Sequence, residues 1–78
     1  MLDRDRRKII ARLHRVEGQL RGLEGQITVS DDVLSVIAQF DAAISATKGV
    51  LNVYIEEIIS DLSEEKRKKL ISRLIKKN

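Results

Sequence analysis

Cysteine and proline are both absent from the 78 residues, glycine occurs four times, and aromatic residues make up only 3% of the chain. Without cysteine there can be no disulfide, thiolate metal ligand or cysteine nucleophile. Few glycines and aromatics argue against a β-sandwich or barrel. Charged residues reach 35%, and leucine, isoleucine and alanine are frequent. This composition predicts an all-α domain of long helices.

Long apolar runs are also missing, since no uninterrupted run exceeds three residues. A membrane-spanning helix needs about 20 largely apolar residues, so we expect no contact with a membrane. The first seven residues carry too much charge to open a secretory signal peptide. The chain is therefore expected to be a soluble, cytoplasmic protein.

Charge is distributed in three blocks. Residues 1–22 hold seven Lys/Arg against three acids, residues 23–63 hold one against seven, and residues 64–78 hold seven against two. The net charges are +4, −6 and +5, which give +3 for the whole chain. Two basic ends either keep a helical bundle soluble or face the phosphates of a nucleic acid. Composition alone does not decide between these interpretations.

Apolar periodicity predicts three helices, at about 4–27, 31–59 and 64–76. Spacings of four and three mark one seam on the first helix: Ile9, Leu13, Val16, Leu20, Leu23 and Ile27. The second helix carries two stripes. The larger comprises Val33, Ile37, Phe40, Ile44, Thr47, Leu51, Tyr54 and Ile58, and the smaller Val36, Ala43, Ala46, Val50 and Val53. One stripe suffices to cover the first helix, so two stripes predict a second partner, most simply another copy of the chain.

Helix ends have recognisable signals. Ser30 or Asp31 is the expected N-cap of the second helix, and Ser63 that of the third. Lys76 and Lys77 suit the C-terminal end of the third helix. The first helix also contains Gly18, Gly22 and Gly25, although glycine costs about 1 kcal/mol relative to alanine in a helix. That cost suggests a close approach by a neighbouring helix or a ligand.

Catalytic groups are scarce. His14 is the single histidine and is expected to be a surface residue. The adjacent carboxylates Asp31–Asp32 and Glu56–Glu57 do not face one another on a helix. There is no glycine-rich phosphate loop and no complete Ser/His/Asp constellation. We therefore do not expect an enzyme.

One motif is specific. The run from Arg12 to Gly22 reads RLHRVEGQLRG and resembles the R-L-x-R-[IV]-E-G-Q-[VL]-R-G signature of the bacterial copper-sensitive operon repressors. That family also includes nickel/cobalt-responsive and formaldehyde-responsive repressors. The likeness continues without gaps through Gln39, Ala42 and Ala46, which fall on the family's Q-x-x-A-x-x-x-A run, and covers roughly residues 5–62.

The resemblance implies an all-α fold in which two chains form an antiparallel four-helix bundle, and such dimers pair into tetramers. It also implies operator DNA as a partner, bound by a basic face and released when an effector, usually a metal ion, binds. On the first helix, Arg4, Lys8, Arg12 and Arg15 share one face at helical spacing, called the basic face below. The residues expected to contact DNA are Arg12, Arg15 and Arg21, supported by Lys8, Arg4 and Lys48. Arg21 lies well round the helix and could instead stabilise an interface.

The sensing positions depart from the family. Relatives bind Cu(I), Ni(II), Co(II) or Zn(II) through a cysteine at the start of helix 2 and a His-x-x-x-Cys or His-x-x-x-His pair near its end in the partner chain. The ungapped register places Val33, Ile58 and Leu62 at those positions. None of these side chains can ligate a metal or form an adduct with an aldehyde, so we expect core packing there and no cofactor.

Three hypotheses follow. The first is a DNA-binding repressor, dimeric or tetrameric, whose effector site is altered or lost. The second retains a metal response through unusual ligands such as the N-terminal amine, Asp3, His14 or other carboxylates. The third is a helical oligomerisation partner that binds no DNA. Reversing the charges of Arg12 and Arg15 discriminates the first from the third.

Overall fold

The computed structural model describes residues 1–76 and contains three α-helices. Helix α1 spans Asp3–Val29 and α2 spans Val33–Ile58; a short 3-10 turn, Ile59–Asp61, leads to α3 at Glu64–Lys76. The prediction of an all-α, three-helix chain is confirmed. Lys77, expected at the end of α3, lies outside the described residues.

A three-residue connection folds α1 and α2 into an antiparallel hairpin. The N-cap of α2 is Asp32, whose Oδ1 accepts a hydrogen bond from the Ser35 amide at 3.2 Å. The prediction of Ser30 or Asp31 was therefore wrong by one or two residues. Ser30 acts inside the turn instead, where its Oγ accepts a hydrogen bond from the Asp32 amide at 3.1 Å. Gln26 Nε2 donates to Ser35 Oγ at 3.2 Å and ties the two helices together beside the turn.

Only one side of each helix is buried in the hairpin. From α1, Ile9, Val16 and Leu23 are buried, and these residues recur every seven positions. From α2, Ala43 and Val50 are buried, so the smaller stripe is the one that packs against α1. The seam expected on α1 is thus divided. Its other members, Leu13, Leu20 and Ile27, are 42%, 49% and 53% exposed.

Most of the larger stripe of α2 is uncovered. Together with the exposed part of the α1 seam it forms a surface that we call the apolar face: Leu13, Leu20, Ile27, Ile37, Phe40, Ile44 and Leu51. Each of these side chains is 41–53% exposed. The chain measures 49 × 31 × 12 Å, so it is about one helix thick. A layer this thin cannot cover its own apolar face.

The exposed area supports the same view. The chain exposes 6467 Å², whereas a compact monomer of 8.9 kDa exposes about 4800 Å². The excess of roughly 1700 Å² is about twice the 800 Å² that one partner buries in a standard protein–protein interface. The hairpin therefore has enough surplus surface for a substantial interface.

Helix α3 is attached mainly through one arginine. Arg67 donates from Nε to the Ile59 carbonyl at 3.0 Å and from Nη2 to the Ser60 carbonyl at 3.2 Å. A cation at these carbonyls complements the negative end of α2. Ser63 caps α3, because its Oγ accepts from the Lys66 amide at 3.2 Å. The apolar strip of α3 stays outside the hairpin core, with Ile71 and Ile75 both more than half exposed.

Within residues 1–76, one segment, Val33–Asp61, is long and apolar enough by length and composition to cross a membrane. The expectation based on short apolar runs missed this segment, because separated apolar residues raise its mean hydropathy without forming an uninterrupted run. This is weak support for a membrane span, since the core helix of a soluble protein passes the same test. Asp41 and Lys48 also lie well inside the segment, where charged side chains are costly in lipid.

Candidate nucleic-acid interface

The basic face runs along the first half of α1. Its members recur at intervals of four and three residues, and the side chains of Arg4, Lys8 and Arg15 are exposed. Arg12 is half-buried because it lies nearer to α2. Within residues 1–76, none of these four side chains forms a salt bridge; the ion pairs there are Met1–Asp61, Lys68–Glu64 and Lys69–Glu65. The positive charge of this face is not neutralised within the described chain.

Between this face and α2 lies a groove of about 280 Å³, which we call the basic groove. Its α1 wall consists of Arg12, Arg15 and Gln19, and its α2 wall of Ala46 and Gly49. Val16 and Val50, which are buried core residues, form its floor. No acidic side chain lines the groove. It combines two guanidinium groups and an amide with a smooth opposite wall, which suits an anion.

Lys48 is not part of this arrangement. It lines a separate groove of about 280 Å³ on the apolar face, beside Leu20, Phe40 and Ile44. The buried residues Ala43 and Val50 lie between the two grooves on α2, so the grooves flank the α1–α2 contact on opposite sides. The structure therefore separates Lys48 from the arginines with which the sequence grouped it.

Arg21 is also separate. It lies nine residues after Arg12, and at 100° per residue this turns its side chain by about 180° around α1. It is exposed and does not line the basic groove. Of the six residues expected to contact DNA, the structure thus brings four onto one face and leaves Arg21 and Lys48 elsewhere.

The three sensing positions do not meet within one chain. Val33 begins α2 and Ile58 ends it, so 25 residues of helix place them about 38 Å apart. Val33 is 68% exposed, while Ile58 and Leu62 are half-buried. The single chain does not form a core from these side chains, and the expected core packing at this site stays a prediction. A site that used both ends of α2 would need a second chain running antiparallel to the first.

The residues expected as unusual metal ligands are also dispersed. The N-terminal amine of Met1 forms a salt bridge with Asp61 Oδ2 at 3.3 Å and is not joined to Asp3 or His14. His14 is exposed on α1. Across residues 1–76, no group of three or more His, Cys, Asp or Glu side chains is placed to hold a metal ion.

The glycines do not have the close neighbours that their positions suggested. A Cβ built on Gly18, Gly22, Gly25 or Gly49 meets nothing within 4 Å beyond the helix's own backbone. No helix of the same chain approaches Gly18, Gly22 or Gly25, because α2 packs on a different side of α1. The expected approach of a helix from another chain or of a ligand stays a prediction.

Sequence reasoning missed the α2 side of the basic groove. Ala46 was assigned to an apolar stripe and to the family's Q-x-x-A-x-x-x-A run, and neither Gly49 nor Gln19 was a candidate site residue. Gln19 could have been found, since it follows Arg12 by seven residues and Arg15 by four and so shares their side of α1. Gly49 could not, because its place depends on which stripe of α2 faces α1.

Comparison with known proteins identifies a matching family. The family model for metal-sensitive transcriptional repressors matches residues 5–77, which is nearly the whole chain. No curated protein and no solved structure shows significant similarity to the chain. The match agrees with the resemblance carried by the run from Arg12 to Gly22 and extends it through α3. The family consists of transcriptional repressors and not of enzymes. The chain belongs to the metal-sensitive transcriptional repressor family.

Proposed function

We propose that this protein is a cytoplasmic repressor that binds double-stranded operator DNA through the basic face of α1. The observation that carries the proposal is the set of unpaired cations on that face, two of which line the basic groove. Arg4 and Arg15 are eleven residues apart, so the face is about 17 Å long. Over that length duplex DNA presents about ten phosphates. Arg12 and Arg15 are the principal contacts, and Arg4 and Lys8 extend them along the backbone.

Self-association is the second part of the proposal. The apolar face and the excess exposed area support a dimer in which two hairpins stack with these faces inward as a four-helix bundle. Stacking in this way leaves a basic groove on each outer side. Pairs of such dimers would extend the DNA-binding surface further, as a homotetramer.

The third part concerns the effector. Metal binding in a repressor of this kind requires sulfur, imidazole or carboxylate donors, and Val33, Ile58 and Leu62 provide none. We infer that the metal response is lost or altered here. An apolar contact between chains would then take the place of the metal site, and the DNA-binding form would be the resting form.

DNA binding by fluorescence anisotropy tests the proposal. The probes are a duplex from upstream of the protein's own gene and a scrambled duplex, each titrated at several salt concentrations. The double substitution Arg12→Glu and Arg15→Glu is expected to weaken DNA binding by more than about 100-fold, because several phosphate contacts are lost and charge repulsion is added. Sedimentation should show an unchanged oligomer, since neither side chain lies on the apolar face.

Arg21→Glu is the matched control for a single Arg15→Glu change. Both alter the charge of the same helix equally, but Arg21 points away from the groove. Arg15→Glu should weaken binding at least about tenfold more than Arg21→Glu. Equal effects would show that net charge, and not the basic face, determines binding. If the wild-type protein binds neither duplex at low salt, the repressor function is wrong and a helical oligomerisation role takes its place.

Metal titration of the DNA complex tests the third part. Cu(I), Ni(II), Co(II) and Zn(II) should leave the anisotropy unchanged when added at up to tenfold excess over protein. Release of DNA by one of these ions would mean that a metal site exists outside Val33, Ile58 and Leu62. The Met1 amine, Asp3 and His14 would then be the first residues to substitute.

A further inference from the structure

Gly49 has no evident role in the fold of the single chain. It lies in the middle of α2, and no glycine among the described residues has a positive φ. A Cβ at this position would meet nothing within 4 Å. Because glycine destabilises a helix interior relative to alanine, the fold alone would favour alanine here. The single chain therefore gives no packing reason for glycine at this position.

The residues around Gly49 indicate which kind of ligand suits the open space beside it. Gly49 forms the α2 wall of the basic groove together with Ala46, facing the α1 wall of Arg12, Arg15 and Gln19. Neither α2 residue carries a side chain beyond Cβ, so a ligand held by the arginines can reach the α2 backbone. The guanidinium groups and the Gln19 amide are hydrogen-bond donors that suit phosphate oxygens. The groove is thus basic on one wall and open on the other.

We propose that a phosphate of the DNA backbone enters the basic groove and lies against α2 at Gly49, held by Arg12, Arg15 and Gln19. This inference rests on the DNA-binding function proposed above. It deepens that function, because it makes α2 a wall of the interface and gives Gln19 and Gly49 roles in positioning the backbone. The contact is to phosphate, so it concerns affinity and orientation more than sequence choice.

Gly49→Leu tests the inference, because its side chain fills the groove without changing charge. Binding to a duplex at low salt should weaken by about tenfold, and the slope of log K against log salt should fall by about one, as expected for one lost phosphate contact. Gly25→Leu is the matched control: it places the same side chain at another open helical position, ten residues beyond Arg15 and not among the residues that line the groove. It should change affinity by less than about twofold.

Gly49→Ala keeps the inference testable if the larger side chain disturbs the oligomer. A methyl group has room at this position, so the variant should melt at a higher temperature than the wild type. Its DNA affinity should nevertheless fall by about two- to fivefold, because the methyl group holds the phosphate away from α2. A gain in thermal stability with a loss of DNA affinity is the signature expected here.

The outcomes separate the two proposals. If Gly49→Leu retains both wild-type affinity and salt slope while the Arg12/Arg15 reversal loses binding, the inference is wrong and the repressor function stands. If Gly49→Leu dissociates the oligomer, Gly49→Ala decides: unchanged affinity overturns the inference, and weakened affinity supports it. If the wild-type protein does not bind DNA, both proposals fail together.

Discussion

The two sides of the α1–α2 hairpin carry grooves of similar volume and opposite chemistry. Each carries a groove of about 280 Å³ beside the same line of buried residues. On one side Leu20, Phe40 and Ile44 line the groove; on the other, Arg12 and Arg15 face Gly49. Because α1 and α2 form both grooves, the difference depends only on which residues the helical repeat places on each side.

This difference predicts a separate partner for each side. Large exposed apolar surfaces are stabilised by another apolar surface, whereas clustered guanidinium groups are stabilised by an anion. In a layer one helix thick, the two partners can bind at the same time without overlapping. A repressor built this way can assemble through one side and hold DNA with the other, so substitutions on the two sides should have separable effects.

The largest effect is expected from Ile44→Asp, which places a charge at the centre of the apolar face. Burying an unpaired carboxylate is costly, so the oligomer should dissociate. The isolated hairpin should then lose most of its thermal stability. Sedimentation velocity and circular dichroism at several protein concentrations measure both effects. The wild-type melting temperature should rise with concentration, as expected for a protein stabilised by association.

Asn52→Asp is the control for that substitution, because it introduces the same carboxylate on the edge of α2 away from α1. It should leave the oligomer intact. If Ile44→Asp also remains an oligomer of native stability, the apolar face is not the interface.

Much of the fold could be predicted because helical periodicity is a local property. Three helices follow from the spacing of apolar residues, and Ser63 was identified correctly as a cap. The N-cap of α2 was placed wrongly because Ser30, Asp31 and Asp32 can all cap a helix, and the choice depends on how the turn closes. The division of the α1 seam was hidden for a related reason. Residues such as Leu13 and Val16 look equivalent in sequence until the position of α2 is known.

The candidate site shows the same limit. Arg12 and Arg15 could be grouped because they lie on one helix. Lys48 was grouped with them by charge alone, although only the packing of α2 shows that it faces the apolar side. The significance of Gly49 likewise depends on two helices at once. Residues that share one face of a helix could be grouped from the sequence, and residues whose position depends on helix packing could not.

The next largest effect is a gain of function on the apolar side. Replacing Val33→Cys, Ile58→His and Leu62→Cys together restores the donors that relatives carry at these positions. Because Val33 and Ile58 are about 38 Å apart in one chain, copper binding through the donors at all three positions requires two antiparallel chains. We expect one Cu(I) per chain, measured by competition with a Cu(I) chelator. Thiolate and imidazole donors suit this ion.

Each single substitution is the control for the triple variant and should bind Cu(I) far more weakly. A triple variant that forms the native oligomer but binds no copper would show that the sensing positions were assigned wrongly. Sedimentation of the same samples distinguishes that result from misfolding.

The smallest effect concerns the charges at the rim of the apolar face. Asp41 and Lys48 are seven residues apart and therefore lie on nearly the same side of α2. A two-fold axis between residues 44 and 45 would place Asp41 of each chain opposite Lys48 of the other, and Ile37 close to Leu51. Asp41→Lys or Lys48→Asp alone should weaken self-association by about tenfold, because two pairs of opposite charges become like charges. The combined swap should return the association constant to within about threefold of the wild type. A swap that fails to rescue association would exclude this register.

DNA binding gives a second readout for the same variants. Neither single substitution should weaken DNA binding once the protein is assembled at high concentration, since Lys48 lies across the layer from the basic groove. A direct loss of DNA affinity in Lys48→Asp would show that Lys48 contacts DNA.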